Sequence, residues 1–113
     1  MGQLTAATNG NVTENAQTDN YTLVLSDAFK LVSMNNASAK TISIPVSSSV
    51  AFPVGTFIGL MSRGAGDVTV TGTTTGVTVY SQGSKSKLFG QYAVGGILNL
   101  GGDTWVFGGN RKT

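Results

Sequence analysis

From Tyr21 onward, apolar and polar residues alternate in short runs, each closed by a cluster of Asn, Asp, Ser, Gly or Pro. Tyr21, Leu23 and Leu25 alternate with Thr22 and Val24 until Ser26-Asp27-Ala28 ends the run. Phe29, Leu31 and Val32 open a second run that reaches Met34 and breaks at Asn35-Asn36-Ala37-Ser38. Ile42 and Ile44 share one face of a third run, stopped by Pro45. This period-2 spacing with polar punctuation predicts half-buried strands. Val50-Ala51-Phe52 is compatible with one helical turn. Phe57 to Met61 reads as a more uniformly apolar, central strand, followed by Val68–Thr71, Gly76–Tyr80, Leu88–Tyr92, Ile97–Leu100 and Thr104–Phe107. Eight or nine short strands with turn signals about every 8 to 12 residues predict an all-β chain, an antiparallel β-sandwich or small barrel.

The same pattern sets the organisation. Residues 1–19 are polar and aperiodic, and read either as an extended N-terminal arm or as a frayed terminus. Fully extended, such an arm reaches ~50 Å or more, enough to lie across a neighbouring subunit. Residues 20–110 form the single sandwich or barrel domain, and 111–113 a short tail. The runs DVTVT and GVTVY are alike, but two copies are too few for a solenoid. Adjacent strands account for them.

Composition agrees with a turn-rich β chain. Only 11% of the 113 residues are charged and 16 are Gly, whereas an ordinary soluble domain is about 25% charged. So sparsely charged a surface suits a protein covered by copies of itself or by a larger assembly. The seven basic residues exceed the five acidic ones by two and are scattered. They make no clustered footprint of the kind nucleic acid requires. No stretch approaches the ~20 apolar residues of a membrane-spanning helix, and MGQLTAATNGNVT lacks the basic and apolar regions of a secretory leader. The expectation is synthesis in the cytoplasm with neither nucleic acid nor membrane as partner.

Histidine and cysteine are absent, which removes imidazole bases, thiolate nucleophiles and their metal sites. Five carboxylates remain: Glu14 and Asp19 in the arm, and Asp27, Asp67 and Asp103 at turns, where Asp bonds to nearby backbone. Nothing in this spacing favours the facing pair a hydrolase needs, nor the six or more oxygens of a calcium site. No catalysis, cofactor or metal is expected. Gly64-Ala65-Gly66 lacks the third glycine and the helix of a dinucleotide fingerprint, and reads as a hairpin turn. The sequons at Asn11, Asn20 and Asn36 carry no weight without a secretory signal. Trp105, within a T-W-V-F strand, is expected in the core. The other aromatics could include a sugar-stacking platform.

The block YTLVLSDAFKLVSMNNASAKTISIPVSSSVAFPVGTFIGLMSRGAGDVTVTG resembles a β-rich module of tailed-bacteriophage virion proteins. It shares the order of a Tyr-Thr-Leu strand, an Asp turn, K-L-V-x-M-N, a Pro after a short strand, and F-P-x-G-T. Downstream G-A-G-x-V-T-V, G-V-T-V, K-L-x-G-Q-Y and D-T-W-x-x-x-G extend the likeness to about Asn110. The resemblance implies a structural protein without catalytic residues. A module behind one short arm implies a capsid decoration (cement) or head-fibre protein on the virion capsid surface. It would be a symmetric homo-oligomer, a trimer favoured, bound to the major capsid protein and clamping adjacent capsomers. Leu4, Val12 and Tyr21 are the candidate contacts with capsid or a neighbouring subunit. The alternative is a short fibre or adhesin module that recognises a host-surface glycan.

Overall fold

The computed structural model describes residues 11–113. The polar clusters cut them into eleven strands: β1 (Glu14–Gln17), β2 (Tyr21–Thr22), β3 (Leu31–Met34), β4 (Lys40–Ile44), β5 (Phe57–Ser62), β6 (Val68–Gly72), β7 (Thr78–Tyr80), β8 (Lys87–Leu88), β9 (Val94–Gly101), β10 (Thr104–Gly109) and β11 (Arg111–Lys112). Short 3-10 turns at Leu25–Asp27 and Gln82–Ser84 are the only helical elements among the described residues. The strands form two sheets, a front sheet ordered β1-β3-β5-β9-β10-β7 and a back sheet ordered β11-β8-β6-β4-β2.

The chain is β-rich, as its periodicity predicts, but the sheets are mixed and not antiparallel. Strands β1, β3 and β5 are mutually parallel in the front sheet, and β2, β4 and β6 are parallel in the back sheet. Strand β7 also joins β10 in parallel. Antiparallel pairing is confined to β5/β9, β9/β10, β6/β8 and β8/β11. The cause lies in the links. A short polar link can fold a strand back as a hairpin or arch over the core to the opposite sheet, and its composition is the same in both cases. The links after β1, β3 and β5 arch over. They also stack: Asn36 Nδ2 donates to Thr18 O at 2.8 Å, and Gly66 N donates to Asn36 O at 2.9 Å. The first six strands therefore wind as three turns of a coil. Gly64 and Gly66 serve this stacking and not a hairpin. A Cβ on them would lie 2.4 Å from the Asn36 backbone and 2.0 Å from Ser38 O respectively. A tight hairpin does join β9 to β10, where Gly102 and Asp103 take the positive φ (63° and 57°) that a two-residue hairpin turn demands, and Gly101 (93°) sits at the adjoining register shift.

Three further expectations change. The similar runs DVTVT and GVTVY become β6 and β7, in opposite sheets and unpaired. The sheet begins before the expected boundary at residue 20, because Glu14–Gln17 pairs with β3 over its whole length. It also extends into the expected tail, since Arg111–Lys112 pairs with β8. The arm's first ten residues lie outside the described residues.

The core fills the space between the sheets with inward side chains such as Ile42, Ile44, Ile58, Leu60, Ile97 and Phe107, all essentially inaccessible. Trp105 is buried as expected, edge-on to Phe52 with ring centroids 5.5 Å apart. Asn99 points inward from β9. Its amide donates to the carbonyls of Phe52 (2.9 Å) and Pro53 (3.0 Å), and its oxygen accepts from Gly101 N (2.9 Å). A buried polar group is tolerated when so satisfied, and here it fixes the Phe52–Thr56 loop against the sheet.

Candidate functional site

The two outer faces differ in chemistry. Along the back sheet, the register places Thr22, Ser43 and Thr71 in one outward row, and Thr41, Thr69 and Lys87 in another. That face is polar. The outward row of the front sheet is Phe57 on β5, Leu98 on β9, Val106 on β10 and Tyr80 on β7, each directly opposite the next. All four are exposed, Tyr80 at 61% and Phe57 at 47%. This apolar ridge crosses four strands.

Two residues further along each strand, about 7 Å away, the outward row is Leu31, Gly59, Gly96 and Gly108, with Glu14 at its β1 end. Three glycines in register make a trough beside the ridge. Gly96 lies under the Phe57 ring, where an added Cβ would come within 2.4 Å of it, whereas Gly108 has nothing within 4 Å. The open end of the trough is a hollow of about 480 Å³ with Gly95, Gly96, Gly108 and Gly109 beneath Phe57, Val94, Leu98 and Val106. A second hollow of about 390 Å³ adjoins it through Phe57 and Val94 and is lined by Val12 and Phe29.

Phe29 stands in the left-handed region (φ 62°) with 69% of its surface exposed. A bulky residue there is a genuine outlier, and its amide donates to Phe57 O at 2.7 Å, which ties it to the face. Strained residues that survive at exposed positions tend to mark functional surfaces.

The charged groups lie at the edge. Arg63 grips Glu14 through Nε to Oε2 (2.6 Å) and Nη2 to Oε1 (2.8 Å), and Ser33 Oγ donates to Oε2 at 2.5 Å. The hydrogen bond from the Arg63 guanidinium, aided by Ser33, holds the Glu14 carboxyl well below the usual range, down to about 2. The other four carboxylates are also engaged within the chain. Asp27, buried, accepts from Val24 N, Tyr21 OH and Asn15 Nδ2. Asp103 accepts from Ser47 N and Oγ, Asp67 pairs with Lys112 and Lys87, and Asp19 pairs with Lys40.

Of the predicted contact residues, Val12 lies on the apolar face and is 68% exposed. Tyr21 lies on the back sheet, half-buried, with its hydroxyl bound to Asp27. Burial, then the nearby Asp27, raises its pKa. The two are not brought together, and Leu4 lies outside the described residues. Sequence reasoning missed the front face itself. The signal was present: WVF, and ILNL apart from the inward Asn99, are apolar on both alternating faces, as in strands covered on both sides. Comparison of the chain with protein-family models, curated proteins and solved structures finds no match.

Proposed function

We propose that this chain is a non-catalytic structural subunit of a bacteriophage virion, which decorates the capsid by binding the major capsid protein and so reinforces it. The observation that carries the reading is the apolar front face, continuous with Val12, where residues 1–10 join the described chain. Contiguous apolar surface of this kind is built to be covered. A subunit whose apolar face is covered by a neighbouring protein of the assembly resists the separation of capsomers under internal pressure. The engagement of all five carboxylates within the chain supports a scaffold role over acid–base chemistry. A glycan platform would set aromatic faces beside hydrogen-bonding side chains, whereas Phe57 is flanked by Leu98, Gly96 and Val94. The face therefore suits protein better than sugar.

Labelling the protein in intact virions tests the reading: label over the capsid surface is the expected result, and label on tails or fibres alone would reject it. Removing residues 1–10 tests the arm, because β1 and its bonds are kept. Capsid binding should fall while the fold persists.

A further inference from the structure

We infer that the front face is covered by a second copy of this chain, packed face to face across a two-fold axis. The inference rests on the reading of this face as a covered surface, and names what covers it. Ridge and trough lie parallel, one row apart, on one nearly uncharged face. A two-fold axis in the interface plane, parallel to the ridge and midway between the rows, lays each copy's ridge over the other's trough. Val106 of one copy then stands above Gly108 of the other, the open end of the trough. Such an isologous contact needs one self-complementary patch, and this face is one.

The size is sufficient. Taking ~200 Å² for a fully exposed large side chain, the ridge with Val12, Phe29, Val94 and Leu100 exposes on the order of 800 Å², against the ~800 Å² per partner of a standard interface. The largest apolar patch of a typical monomer is about 300–600 Å². The charged groups fall where an interface places its polar rim: the Glu14–Arg63 pair at the β1 edge and Lys30 beside Phe29. Among the described residues the back face, lined by Thr, Ser and Lys, offers no comparable patch. Ridge and trough on a single face favour a pair over the trimer that the family resemblance favours.

The test is the solution mass of the full-length chain by light scattering, across micromolar to millimolar concentration. The wild type should run at twice its 11.6 kDa chain mass. Gly108→Val is the discriminating variant. Its new side chain meets no atom of its own chain within 4 Å of the Cβ, and Val suits a strand. It should keep the circular dichroism and melting of the isolated fold yet run as a monomer. Val106→Lys, exposed on the ridge, should do the same. A monomeric wild type, a mass of three copies, or a dimer that both variants leave intact would overturn the inference. The virion reading fails separately. If the wild type is monomeric and the two variants abolish capsid binding, the face docks on capsid. If they alter neither property, both readings of the face are rejected.

Discussion

Glu14 keeps its charge far below the pH at which a carboxylate ordinarily protonates, because Arg63 and Ser33 bind its ionised form. A depressed carboxyl contributes stability that is complete above its ordinary value of 4.5 and is lost as pH falls through about 2. Asp19, lowered by Lys40, and Asp67, lowered by Lys112, act in the same direction. Denaturant melts from pH 6 to pH 2 should show falling stability in the acid limb, with a shallower fall for Glu14→Gln. Asn99 makes a different contribution: Asn99→Ala leaves the buried Phe52 carbonyl without its donor, while the Pro53 carbonyl keeps those from Thr56 N and Oγ1. The expected loss is about 1–3 kcal/mol, read from the urea midpoint. Phe29 shows the converse. Asn tolerates φ near +60° better than Phe does, so Phe29→Asn should leave the stability of the isolated fold unchanged or raised while weakening self-association.

Strand β1 is the element that sequence periodicity passes over. Glu14–Gln17 carries no apolar alternation. Its place in the sheet comes from its ladder with β3 and from polar side chains: Glu14 to Arg63, and Asn15 to Asp27 and Tyr21. Truncation through residue 19 should thus destabilise the fold by at least about 1–3 kcal/mol, because buried Asp27 loses a donor. Truncation through residue 10 keeps the β1–β3 ladder and should leave the β-rich circular dichroism spectrum of the fold in place. Other elements were legible. Ile42, Ile44 and Trp105 announce their burial by alternation, and Asn35-Asn36 and Ser26-Asp27 mark real turns. Topology was not legible, because a polar link that arches over the core carries the same residues as one that makes a hairpin. Nor was the role of Gly64 and Gly66, which depends on a stacking partner nearly thirty positions earlier in the chain.

At the scale of the whole molecule, the two outer faces have opposite characters, polar behind and apolar in front, and this asymmetry is the basis of the functional account. It was half visible in the sequence. The unbroken apolar runs at Phe57–Met61 and Trp105–Phe107 signal strands covered on both sides, yet only the register shows that Phe57, Leu98, Val106 and Tyr80 align. The chain has no cysteine, so a single engineered thiol reports one position. Val106→Cys places it on the front ridge, and Thr71→Cys on the exposed back face. The most direct measurement of whether the front face is covered is the rate of maleimide modification of each variant in its native assembly, against the rate in denaturant. A covered front face leaves a thiol at position 106 strongly protected in the native state, and one at position 71 reacting nearly as fast as in denaturant. Equal, rapid modification at both positions would contradict it.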